Sequence, residues 1–65
     1  MKVRYFADTD TLLIEFRDTP VIETRELDEN TVLDLDAGGN VCAITVEHAS
    51  RCAGAPAFSY EQVAA

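Results

Sequence analysis

A chain of 65 residues has room for one domain, and 12 acidic against 5 basic side chains give it a net charge of −7. That balance repels phosphate backbones, so it disfavours a direct grip on DNA or RNA and favours a basic protein partner. An apolar content of 48% argues against a disordered chain, and no apolar run approaches the roughly 20 residues of a membrane-spanning helix.

The dominant period along the chain is two. Residues 3–6 predict a first strand, with Val3 and Tyr5 on one face. Ala7-Asp8-Thr9-Asp10 supplies turn chemistry, because Asp side chains bond nearby backbone N–H groups. Residues 11–16 predict a second strand, with Leu12, Ile14 and Phe16 on one face and Leu13 and Glu15 on the other. Arg17-Asp18-Thr19-Pro20 ends it, since Pro20 has no N–H to give to a ladder.

Residues 21–27 predict a third strand, mostly polar and therefore at an edge or with one wet face. Asp28-Glu29-Asn30 leads to a fourth at 31–35, with Leu33 and Leu35 inward and Val32 and Asp34 outward. Asp36-Ala37-Gly38-Gly39-Asn40 is the strongest turn signal, placing permissive glycines between two apolar runs. Residues 41–47 predict a fifth strand presenting Cys42, Ile44 and Val46 on one face. Short connections between successive strands make antiparallel pairing the natural reading.

The tail changes character. Residues 48–55 predict a short helix stopped by Gly54 and Pro56, and Ser59 stands as an N-cap for a second helical piece at 60–64. The expected fold is thus α+β and mainly β: a single domain over 1–65, with an antiparallel β-meander of about five short strands at 1–47 and a helical tail at 48–65. So small a domain hides only about 60% of the surface of its unfolded chain. A meander also leaves one apolar face to be covered by the tail or a second subunit, so a homodimer is expected. Met1-Lys2-Val3-Arg4 offers no secretory leader and there are two cysteines only, so the expected compartment is a reducing cytoplasm.

The order of these pieces resembles the small prokaryotic family known as domain of unknown function 2283. Val3-Arg4-Tyr5, Asp10-Thr11-Leu12-Leu13-Ile14, Arg17-Asp18 with Pro20, and Glu23-Thr24-Arg25-Glu26-Leu27-Asp28 carry the first half of the likeness. Val32-Leu33-Asp34-Leu35-Asp36 with Gly39, Ile44-Thr45-Val46 and Ala49-Ser50 carry the second. Phe6 stands where the family usually has Asp, Leu13 where Tyr is common, and His48 where an acidic residue is usual. The resemblance implies a β-meander followed by a helix. It implies no activity and transfers no catalytic residue; an antitoxin-like role follows from it by analogy only.

Chemistry-bearing residues are few. Asp34 to Asn40 superficially matches a calcium loop but has Gly38 at the third ligand position and Thr45 where a bidentate Glu should close the site. Cys42, His48 and Cys52 are the soft ligands, and a fourth zinc ligand is not obvious. Asp8 and Asp10 flank the first turn without a neighbouring base, and Asp10 reads as a cap on the turn before Thr11. No catalytic residue, metal site or cofactor is therefore expected. Glu23, Glu26, Asp28 and Glu29 gather around one polar strand and its turn, and they are the expected contact for a basic partner. A non-enzymatic interaction module, antitoxin-like, is the leading reading. Two others remain open: a small hydrolase or metal-dependent enzyme using Asp8, Asp10, Asp34, Asp36 or His48, and a dimeric accessory subunit.

Overall fold

The computed structural model describes residues 1–53 and 61–64, with backbone alone at Cys52 and Ala53. Five strands appear: β1 (Lys2–Phe6), β2 (Thr11–Glu15), β3 (Glu23–Asp28), β4 (Thr31–Leu35) and β5 (Val41–Glu47). They are followed by one short helix, α1 (Ala49–Ala53). All strand pairs are antiparallel, so the mainly β class with a helix after the sheet holds as expected.

In space the strands run β1-β2-β5-β4-β3. Chain order is broken once, between β2 and β3, and the meander proper is β3-β4-β5 with the β1–β2 hairpin docked against β5. Local composition explains the arrangement. The connection from Phe16 to Ile22 contains Pro20 and is too long for a tight hairpin. The longest strand, β5, is buried on both faces, with Cys42 2% and Ala43 8% exposed, and it takes the centre. Polar β3 is exposed at every residue and takes an edge, as its composition predicts.

Register brings the separate alternations together. Val3 lies opposite Ile14 and Tyr5 opposite Leu12. Leu12 lies opposite Val46 and Ile14 opposite Ile44, while Leu33 also faces Ile44 from the other side. Val3, Tyr5, Leu12, Ile14, Leu33, Ile44 and Val46 therefore fall on one sheet face. The second face carries Lys2, Arg4, Phe6, Thr11, Leu13, Glu15, Val32, Asp34, Ala43, Thr45 and Glu47, of which Phe6, Leu13, Val32 and Ala43 are apolar and the rest polar. This is the division typical of antiparallel sheets with one wet side.

Two bulges adjust the ladder, one between Glu26 and Asp28 and one between Asp34 and Leu35. The second leads into the β4–β5 turn. There Asp36 Oδ1 accepts from the backbone N–H of Gly38 and of Asn40, both at 2.9 Å. Gly39 occupies the left-handed region at φ 77°, which its missing Cβ permits without strain. That conformation is what the Gly38-Gly39 pair in the sequence anticipates.

Strand and helix ends differ from expectation by one or two residues. Phe16 has left the regular ladder, though its N–H still donates to Cys42 O at 2.7 Å. At the other edge, Ile22 N–H reaches Leu35 O at 2.8 Å just before β3 starts. His48, the expected first helical residue, is left-handed at φ 55°, so α1 starts at Ala49. Gly54, Pro56 and Ser59 lie outside the described residues. Of the second helical piece, 61–64 carries no helix and is exposed, Val63 at 75%, because so short a segment needs packing to hold helical form.

Candidate functional site

Asp10 ends the β1–β2 turn in the left-handed region at φ 54°, a conformation that Asp tolerates better than most residues. This backbone geometry directs both of its acceptors at the start of α1. Its carbonyl accepts from Ala49 N–H at 2.9 Å. Its carboxylate accepts from Ser50 N–H at 3.1 and 3.3 Å and from Ser50 Oγ at 2.7 Å. Tyr5 Oη completes the set, donating to Asp10 Oδ1 at 2.6 Å. Asp10 thus caps α1 from a turn 40 residues away, rather than capping the turn before Thr11.

Electrostatics follow from those bonds. The Tyr5 hydroxyl, then Ser50, holds the Asp10 carboxyl below its ordinary 3.8. In return, the hydrogen bond to Asp10 raises the Tyr5 phenol above 10.0. A carboxylate so engaged and made less basic is suited to tying β1, the turn and α1 together; a general base needs the opposite shift. Tyr5 and Ser50 were not legible as its partners, since only the left-handed tolerance of Asp marks the position in sequence.

The remaining candidate acids and His48 are spread over separate turns. Asp36 is held below its ordinary 3.8, first by the Asn40 N–H, with Gly38 and the Arg17 guanidinium adding to the effect. Its oxygens serve its own turn, where a calcium ion would need them free. Asp34 accepts from Thr24 Oγ1 across the strand pair at 2.9 Å, and Asp8 sits exposed in the first turn. His48 Nδ1 lies 3.0 Å from Asn30 Oδ1. Among the described residues no group of three His, Cys, Asp or Glu side chains is placed to hold a metal. Cys42 is buried with Thr19 Oγ1 at 3.2 Å, and the Cys52 side chain is outside the described residues.

Glu23, Glu26, Asp28 and Glu29 all sit on β3 and the turn after it, but not as one face. Glu23 pairs with Arg25 at 2.9 Å. Glu26, opposite Val32, belongs to the polar side of the sheet, whereas Glu23 and Arg25 border the apolar side. Asp28 accepts from Asn30 N–H at 2.8 Å, and that bond holds its carboxyl below 3.8. Of these four, Glu26 and Glu29 are the carboxylates without a hydrogen bond or ion pair among the described residues. At the opposite edge a cleft of about 380 Å³ is bounded by Lys2, Arg4, Glu15, Phe16 and Arg17. Arg4 faces Glu15 at 4.0 Å and Arg17 faces Asp36 at 3.9 Å, so its cations are largely answered from within the chain.

A sequence model of a family described as protein of unknown function, DUF2283, matches residues 2–50. The chain belongs to this family. No curated protein and no solved structure matches it. The matched stretch holds all five strands and both ends of the Asp10–Ser50 bond.

What this DUF2283 chain presents to its surroundings is chiefly surface. On β1, β2, β5 and β4 the apolar face contains no Asp, Glu, Lys or Arg. Its side chains Val3, Leu12, Ile14, Leu33, Ile44 and Val46 are only half-buried. Among the described residues no helix is long and apolar enough to cross a membrane.

Proposed function

We propose that this DUF2283 chain is a non-enzymatic protein-interaction module, antitoxin-like, that binds a basic protein. The division of the sheet into an apolar face and a charged face carries this reading. Broad complementary surface serves docking, whereas catalysis needs acids and bases converging on a recess. The net charge of −7 and the exposed β3 edge support a basic partner, with Glu26 and Glu29 as its free carboxylates. A metal-dependent or hydrolytic role for Asp10 or Asp36 gains no support, because their oxygens are engaged by hydroxyl and backbone donors.

Capture from the source cell tests the reading. Native protein is compared with a form carrying Glu23→Lys, Glu26→Lys, Asp28→Lys and Glu29→Lys, with Glu26→Lys and Glu29→Lys alone as the gentler pair. The native form is expected to recover a basic protein, and the reversed forms to associate more slowly as rim charge is lost. The native rate should fall with salt, whose screening length is about 8–10 Å. Equal recovery by all forms removes β3 as the docking edge, and recovery of nucleic acid by the native protein overturns the partner class.

A further inference from the structure

We infer that α1 is a strap, latched to the sheet by Asp10 and hinged at His48, which acid releases while the five strands stay paired. This device is independent of the interaction-module reading and uses none of its surfaces. Its latch is a compact set of bonds. Ala49 N–H donates to Asp10 O at 2.9 Å. Ser50 N–H donates to the two carboxylate oxygens at 3.1 and 3.3 Å, and Ser50 Oγ to Oδ2 at 2.7 Å. Among the described residues no other hydrogen bond or ion pair joins Ala49, Ser50 or Arg51 to the sheet. Packing adds little. α1 has five residues, and an isolated helix shorter than about 12 is marginal in water. Of its described side chains Ala49 alone is buried, and one methyl hides little apolar area.

The hinge lies where the chain passes from one holding turn to another. Before it, Asn30 O accepts from Glu47 N–H at 2.7 Å and Asn30 Oδ1 lies 3.0 Å from His48 Nδ1. After it, Asp10 takes over at Ala49. His48 stands between them at φ 55°, a left-handed conformation that costs a non-glycine residue and that release of α1 lets relax. A segment held by few contacts at a strained joint opens locally, ahead of the rest of a fold. Protonation acts on the latch itself. Tyr5 from β1, Ser50 from α1 and His48 at the joint all favour the charged Asp10 carboxyl, while Asp8 in the same turn and Arg51 on α1 are exposed and make no bond to it. That carboxyl sits below its ordinary 3.8, so the latch holds at neutral pH and loosens as pH falls through the folded value.

Hydrogen exchange and amide shifts of the full chain, followed by NMR, test this. In the native protein Ser50 N–H is expected to exchange faster than the amides of Leu33 and Ile44. Its rate should ignore low urea, as local opening does, whereas theirs should rise with urea as more surface is exposed. Asp10→Asn should speed Ser50 exchange by about 10–100-fold, the range for a hydrogen bond to a charged group. As pH falls, the Ala49 and Ser50 resonances should lose their dispersion while those of β2 and β5 keep theirs. Tyr5→Phe should move that release to higher pH, because the Tyr5 hydroxyl is the first of the groups that hold the Asp10 carboxyl low. If Asp10→Asn does not fold, Ser50→Ala takes its place, removing the 2.7 Å bond from the helix side. One shared rate and urea dependence for Ser50 and Ile44 overturns the strap, since α1 then opens only with the sheet. Loss of the α1 and strand resonances at one pH overturns it as well. Unchanged Ser50 exchange in the variants removes Asp10 as the latch.

Discussion

Leu35 stands at the bulged end of β4, 6% exposed, and is the one large aliphatic side chain among the buried residues described; Cys42, Ala43 and Ala49 are the others. Leu35→Ala deletes the equivalent of three methylene groups at about 0.8 kcal/mol each, a transfer cost of about 2.4 kcal/mol. A cavity adds to that where neighbours cannot close in, and buried Leu→Ala changes span about 2.7–5 kcal/mol. Strands in a single open layer relax more easily than a two-sided core, which places Leu35→Ala near the lower bound, at about 2.5–3 kcal/mol. A domain of this length has about 3–10 kcal/mol of stability in all, so the variant should be badly weakened. Its melting temperature should fall by about 10–20 °C. Urea and thermal unfolding at one fixed protein concentration measure both quantities. Leu27→Ala, at a side chain 60% exposed on β3, is the control and should cost about 0.5 kcal/mol or less. A loss under about 1 kcal/mol for Leu35→Ala, or an equal loss for both variants, would refute the assignment of the core to the β4–β5 pair.

Acid should weaken the fold through Asp10. Its folded carboxyl sits below the ordinary 3.8, so the native state binds fewer protons than the unfolded chain; the stabilisation is present above 3.8 and is lost as pH falls through the folded value. Tyr5 runs the other way: its raised phenol contributes fully below 10.0 and loses that contribution as pH rises through the folded value. Tyr5→Phe should therefore flatten both the acid and the alkaline limbs of a melting-temperature profile, and an unchanged profile would remove the Tyr5–Asp10 bond from the account. Asp36 and Asp28, also lowered, should keep part of the acid limb in that variant. Gly39→Ala places a Cβ at φ 77° with no steric neighbour, so backbone strain alone should cost about 1 kcal/mol. Gly39→Asn should recover part of the loss, and urea midpoints of the two variants check it.

Much of the sheet was present in the sequence as local physics. Alternation in each strand, Gly38-Gly39 in the turn and the polar run at β3 depend on neighbours within a few residues, and periodicity reads those directly. The family's ordered pieces were legible for the same reason. Which strands touch was not. The β2–β5 pairing joins segments separated by two hairpins, and it is chosen by burying the most apolar strand at the centre, a property of the whole chain. The same holds for Asp10: its carboxylate could be read as a turn former, but its partner Ser50 lies 40 residues on. Only closure of the sheet brings the two within hydrogen-bond reach. Tertiary structure likewise split the acids of β3 between two sides of the sheet, because a strand turns successive side chains to opposite faces and a bulge resets the count.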